Sequence, residues 1–390
     1  MNKKLFALFL VSVIDILGFG ILIPLLPYMG ERFGAAPEVI TPVLGAYSLC
    51  QLISAPLWGA LSDRHGRRPI LMSSLAGACL SYVILAFADS LWWLLASRIL
   101  AGFMAGNISA AFAYASDIST PQKRAASLGM VGAAIGIGFT LGPAVGGVLA
   151  GNDIHAANFA LPAAVSACLS LVAIALVAFV LPETRSAQER ASHASKPRSR
   201  PWRLLIERPS LRFVASAALL VTSSQSILES IFAIWALHRF GFGPRTAGLF
   251  MFFLAIFAVL TQGVLVRVLA PKLGEKQLAM WGIAAYVVGL AVVSHAPNIT
   301  IIAIALALCG IGTGAFNPSA SALASKQSDE HDRGAVLGTY QSSSSLARVI
   351  GPFLSGPVYE VLGPSAPFVL GACVALPAAW FISRVRKPTA

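Results

Sequence analysis

Charge is what this sequence has least of. Only 11% of its 390 residues are charged, against roughly 25% in a soluble domain, so most of its surface faces something other than water. Histidine is scarce as well. The six (His65, His155, His193, His238, His295 and His331) fall in loops or at helix ends without ligand spacing. The five cysteines, Cys50, Cys79, Cys168, Cys309 and Cys373, lie far apart, each inside an apolar run. That excludes a disulfide framework or a zinc pair and leaves each as a small hydrophobe. A metal site is therefore not expected, nor is a bound cofactor. An enzyme would need a clustered nucleophile and base or a set of metal ligands, and none is seen.

What is abundant is apolar sequence: 57% of residues are hydrophobic and mean hydropathy is +0.77. Runs of about 20 apolar residues recur, the length that crosses a hydrocarbon core about 30 Å thick. The pattern predicts membrane-spanning helices near residues 5–27, 41–62, 70–88, 91–116, 126–150 and 157–181. A second set is predicted near 211–238, 245–269, 276–296, 298–325, 335–360 and 365–384. The first run carries Asp15 and the Pro24 to Pro27 segment and has no small-residue cleavage site, so it reads as a retained helix and not a signal peptide. The expected fold is all-α: twelve transmembrane helices in two six-helix bundles, 1–181 and 211–390, around a central cavity. The Arg-, Ser- and Pro-rich stretch 182–210 is expected as a solvated linker.

Under this topology 23 of the 28 Lys and Arg residues fall on the side of the chain termini. By the positive-inside rule both termini are expected in the cytoplasm of a multi-pass protein of the cell's inner membrane. The net charge of +12 then reports topology, and no nucleic-acid partner is expected. The two halves also echo each other. Gly142 and Pro143 recur as Gly351 and Pro352, an offset of 209, and the loop Arg64 to Arg68 is faintly repeated at Lys272 to Lys276, an offset of 208. Paired helical repeats with a site between them are transporter architecture.

Ionisable residues inside a membrane are costly and mark pathways by default; here they are Asp15, Arg98, Glu229 and Arg348. Asp15 lies about 15 Å along its helix, where a carboxyl is a candidate for proton exchange or a structural hydrogen-bond acceptor. Glu229 and Arg348 fall at comparable predicted depth. They read either as a static pair or as working groups, Glu229 taking a proton or cationic substrate and Arg348 an anionic group. Gln51, Asn107, Gln225, Asn317 and Gln341 are candidate cavity residues, with Phe232 and Trp235 as an aromatic wall. For each polar one an interhelical hydrogen bond is the plain alternative.

The sharpest local pattern is Gly59, Asp63, Arg64, Gly66, Arg67, Arg68 and Pro69 between the second and third predicted helices. Gly59 is expected to let a neighbouring helix approach. This segment resembles the signature loop of the major facilitator superfamily. Arg98 to Asn107 resembles its fourth-helix motif. Gly138, Gly142, Pro143, Gly146 and Gly147 resemble the fifth-helix motif of its antiporters, and Asp15 to Pro27 resembles the first helix of the drug–proton antiporter branch. The nearest resemblance is to the tetracycline-efflux proteins.

The resemblance implies a charge cluster of Asp63, Arg67 and Asp117 that latches the outward-facing state, coupling of protonation to movement by Arg98, and a bend in helix five at Gly142 and Pro143. It implies a transporter, expected to act as a monomer, that exports amphiphilic or drug-like small molecules in exchange for protons, the proton gradient supplying the energy. Uptake of a sugar or metabolite is the first alternative, and a membrane receptor or enzyme a remote one. Tetracycline exporters carry an acid before the helix-three tyrosine, a His in helix eight and an Asp in helix nine. Here those positions hold Ser81, Ala258 and Tyr286, which argues against tetracycline itself as the substrate.

Overall fold

A computed structural model describes residues 3–120, 122–184, 201–328 and 332–385. The basic run 185–200 and the terminal Lys387 lie outside the described residues, so the linker's charge is known from sequence alone. Among the described residues twelve long helical segments follow one another: α1 (Lys3–Arg32), α2 (Pro37–His65), α3 (Arg67–Ala86), α4 (Leu91–Asp117), α5 (Arg124–Ala150), α6 (Ala160–Val180), α7 (Pro209–Phe240), α8 (Pro244–Leu273), α9 (Glu275–His295), α10 (Ile299–Ser325), α11 (Arg333–Leu362) and α12 (Ala366–Ser383). No strand occurs among the described residues. Eleven of the twelve are long and apolar enough to cross a membrane; α11 is the exception.

The polarity of α11 has a local explanation. Its Ser342, Ser343 and Ser344 hydroxyls donate back to the carbonyls of Gly338, Thr339 and Tyr340, four residues earlier (2.9, 3.3 and 3.5 Å). A serine that bonds its own helix satisfies itself without water, so a polar sequence still folds as a helix. Breaks in other segments also have chemical causes. α1 is interrupted at residues 23–25 beside Pro24 and Pro27, where a helix loses backbone donors. α8 widens to a π-turn over Thr261–Leu265.

The chain folds as two compact units, and they are not the two sequence halves. The first comprises residues 1–36, 46–197 and 236–252; the second comprises 37–45, 198–235 and 253–390. Each unit therefore includes a short piece from the other half. In the first, α1 and α5 pack through a ridge of glycines. A Cβ on Gly138 would strike Ile16 and Leu17, one on Gly142 would strike Gly20, and one on Gly146 would strike the Ile21 carbonyl. Small residues four apart let two backbones approach within van der Waals contact, the main source of helix association in lipid. Beside this seam lies an apolar cluster of Leu8, Val11, Leu71, Leu75, Ala111, Tyr114, Val131 and Val177. In the second unit Leu211, Val214, Val221, Ile283, Phe316, Leu323 and Ile382 form the corresponding core.

Both described ends of the stretch 182–210, expected as a solvated linker, are packed against the folded units. Pro201–Glu207 is a helix, and Leu204 and Leu205 pack against the second unit's core. At the other end, Pro182 accepts a hydrogen bond from the Tyr114 hydroxyl at 2.9 Å.

The sequence repeat is also a packing repeat. Gly142 meets α1 and Gly351 meets α7; five residues on, Gly147 meets Pro244 and Arg245 at the start of α8, and Gly356 meets Pro37 and Glu38 at the start of α2. These contacts bring residues 236–252 into the first unit and 37–45 into the second. The loop glycines repeat too. Gly66 (φ 104°) and Gly274 (φ 79°) join α2 to α3 and α8 to α9 in the left-handed region, where a Cβ is disfavoured.

Candidate functional site

In the first unit the buried acid of α1 lies beside a break in α4. Asp15 is 6% exposed and its carboxylate accepts a hydrogen bond from the Asn107 side-chain amide. Asn107, expected at a cavity wall, is thus engaged with Asp15. It is the first residue of α4's second piece, Asn107–Asp117, after the first piece ends at Phe103. The broken turn is satisfied from outside. Trp58 Nε1 donates to the Phe103 carbonyl at 2.6 Å, the Ser74 hydroxyl donates to the Met104 carbonyl, and Ser74 Oγ accepts from the Gly106 amide at 3.0 Å. An interrupted helix at a buried ionisable group is how membrane transporters present polar atoms in the interior.

Asp15 and Asn107 border a cavity of about 10 Å³ together with Ser12, Ile16, Leu71 and Ile108. That is room for about one water. The Ser12 hydroxyl lines it and has no hydrogen-bond partner among the described residues. Arg98 is buried at 1% exposure, donates to the Ser97 hydroxyl at 3.0 Å, and leaves its Nε without a partner among the described residues. It makes no ion pair among the described residues, so it is not neutralised by Asp15. Tyr82 stands within electrostatic range of both. Gln51 is half-buried on α2, its amide 3.4 Å from the Tyr47 hydroxyl.

At one end of the same unit the signature loop closes a charge cluster. Arg67 is buried and reaches Asp63 at 3.0 Å, Asp117 at 3.1 Å and the Ser62 hydroxyl at 2.9 Å. Arg68 donates to the Ala178 carbonyl, and Arg64 is exposed. Glu183, absent from the sequence reading, accepts from the backbone amides of Arg67 and Arg68 at 3.0 and 3.1 Å. A carboxylate on the first free N–H groups of α3 is favoured by their partial positive charge. It lies against Gly66, where any Cβ would collide with it. Its sequence signal was slight: one acid just past the sixth apolar run. Gly59 corrects an expectation. Among the described residues nothing lies within 4 Å of a Cβ placed there, so none of the described helices approaches it closely.

In the second unit the remaining candidates separate by burial. Phe232 and Trp235, expected as a cavity wall, are 2% and 0% exposed, with the Trp235 ring edge-on to Phe368 at 5.0 Å. They are core, because α7 turns that face toward α12. Asn317, Gln341, Glu229 and Arg348 are exposed and Gln225 is half-buried. Glu229 and Arg348 form no ion pair among the described residues, although Arg348 acts electrostatically on the carboxylate. No group of three or more His, Cys, Asp or Glu suited to a metal ion occurs among the described residues.

Comparison with known proteins agrees with this architecture. The family model of the Major Facilitator Superfamily matches residues 8–278 and 217–390. The class C tetracycline resistance protein of Escherichia coli is 30% identical over 373 residues, covering 92% of this chain and 90% of that protein. Multidrug resistance protein 2 of Bacillus subtilis (strain 168) is 29% identical, covering 96% and 93%. Among solved structures, the human organic anion transporter MFSD10 (TETRAN) superposes with a TM-score of 0.75 at 24% identity, covering 98% of this chain and 99% of that one.

Proposed function

The chain belongs to the major facilitator superfamily, a multi-pass membrane transporter and not an enzyme, and we propose that it exports amphiphilic, drug-like small molecules in exchange for protons by alternating access. The observation that carries the proton half is Asp15, buried at mid-span and held by Asn107 at the break in α4. An ionised carboxylate accepting this bond forms a charge-assisted hydrogen bond, roughly twice as strong as its neutral counterpart. Proton loading weakens the tie between α1 and α4, and proton release restores it. Each facing state then has its own proton preference, which is what drives one state into the other.

The export direction draws on the glycine-proline segment of α5, which resembles that of antiporters, and on relatives whose names record resistance to tetracycline and to multiple drugs. Ser81, Ala258 and Tyr286 stand where the tetracycline exporters carry ionisable groups, so the substrate is proposed to be a different amphiphile. The reading places the protein in the cytoplasmic membrane as a monomer with cytoplasmic termini, energised by the proton gradient without a bound cofactor. The charge cluster at Arg67 serves as the cytoplasmic latch.

Everted vesicles carrying the protein test this directly. An imposed proton gradient is expected to drive accumulation of an exported dye, and adding the dye is expected to dissipate the gradient. With Asp15→Asn, dye binding is expected to persist while gradient-driven accumulation falls to background. Full gradient-driven accumulation by that variant would end the proposed role of Asp15; accumulation only in right-side-out vesicles would make the protein an importer.

A further inference from the structure

Two opposite charges in the second unit make no hydrogen bond or ion pair among the described residues, and the geometry around them points to what they bind. α7 and α11 run parallel and in register. A Cβ on Gly351 would strike Ser226, and the Ser230 and Ser355 hydroxyls hydrogen-bond at 2.8 Å. Both pairs share an offset of 125 residues. Glu229 is therefore level with Leu354, and Arg348 lies six residues below it, about 9 Å along the helices at 1.5 Å per residue. The comparable depth expected from sequence is corrected by this register. The two groups do not meet as a bonded pair, although Arg348 stands within electrostatic range of the Glu229 carboxylate.

Neither group is satisfied otherwise. Among the described residues Glu229 and Arg348 take part in no hydrogen bond or ion pair, and both side chains are solvent-accessible midway along helices of 32 and 30 residues. A charge at that depth facing hydrocarbon is prohibitive, so it faces a wet pathway. Each continues a polar stripe on its own helix: Gln225 with Glu229, four apart on α7, and Gln341, Ser345 and Arg348 on α11. The Gln225 Nε2 is buried without a hydrogen-bond partner among the described residues.

We propose that this face of the second unit is a two-point site for a zwitterionic small molecule, its cationic group seated at Glu229 and its anionic group at Arg348, about 9 Å nearer the first residue of α7. The proposal rests on the transport reading above and names the substrate class for it. A monocation leaves Arg348 uncompensated, and a monoanion leaves Glu229 so. A molecule bearing both charges satisfies both groups at once. Each charge-assisted contact contributes about 1.5–3 kcal/mol, a factor of roughly 10–100 in affinity.

The test uses full-length protein in lipid nanodiscs, without a gradient, and fluorescence polarisation of three dyes: a rhodamine free acid (zwitterion), its methyl ester (cation) and fluorescein (anion). The free acid is expected to bind roughly 10–100-fold more tightly than the other two. Glu229→Gln is expected to reduce the free acid to the affinity of fluorescein, and Arg348→Gln to that of the ester. Glu229→Asp and Arg348→Lys, which keep the charges, are expected to keep the ranking and so control for folding. Equal binding of the three dyes, no binding of any, or an equal loss of all three in either Gln variant would overturn the site. So would a Glu229→Gln/Arg348→Gln protein that recovers what each single change loses, the signature of two charges that only neutralise each other. Zwitterion-selective binding without accumulation in everted vesicles would leave the site standing and defeat the export reading. Accumulation of the ester with no preference for the free acid would do the reverse.

Discussion

Asp15 and Gly59 illustrate how single residues divide between what composition implies and what contacts decide. An acid inside an apolar run announces itself, since the membrane makes any ionisable group expensive. Its partner does not, because Asn107 is 92 positions away and an amide there is as compatible with a cavity wall as with a helix–helix bond. Gly59 misled in the other direction. Its place in a recognisable loop suggested close packing, yet the space beside it is open. Gly59→Ala is accordingly expected to change stability by no more than about 0.5 kcal/mol. Gly142→Val, which drives a branched side chain into Gly20, is expected to cost about 1–3 kcal/mol or more. Thermal unfolding of the purified variants in detergent compares the two; equal losses would contradict the packing described here.

At the scale of elements, helix boundaries were legible because apolar length and charge placement both follow from the bilayer. The seventh predicted helix, 211–238, is Pro209–Phe240, and the tenth, 298–325, is Ile299–Ser325. Interruptions were less legible. The break in α4 contains no proline; it exists because Trp58 and Ser74, from neighbouring helices, satisfy the backbone groups that the turn leaves free. Trp58→Phe keeps the ring and removes the donor, so it is expected to cost about 1 kcal/mol and to loosen Asn107 against Asp15. Protection of the Phe103 to Asn107 amides in hydrogen exchange reads this out, and unchanged protection would mean that the break is held by other contacts.

For the whole molecule, the repeat explains why the compact units differ from the sequence halves. Gly147 and Gly356 are equivalent positions that hold the first turns of α8 and α2, each from the other half. In the first unit the Asn152 side-chain carbonyl also accepts from the Thr246 amide at 3.2 Å and its hydroxyl at 2.9 Å. In the proposed alternating access, contacts of this kind part in every cycle. Asn152→Cys with Thr246→Cys, in a protein cleared of its five free cysteines, is therefore expected to lose vesicle transport on oxidation and regain it on reduction. Undiminished transport by the cross-linked protein would show that α5 and α8 stay together throughout.

The sequence by itself determined the solvent, the fold class, the repeat and the identity of the costly charges, because each is a consequence of one-dimensional pattern measured against a membrane. Tertiary structure alone decided which of those charges are partnered. Asp15 met an amide at a helix break, Arg67 met two acids, Phe232 and Trp235 turned inward, and Glu229 and Arg348 were offset by about 9 Å along the helices by the register of α7 on α11. Pairing depends on helix rotation and register, which small residues such as Gly351 and Ser226 impose through contact and which no run of hydropathy encodes.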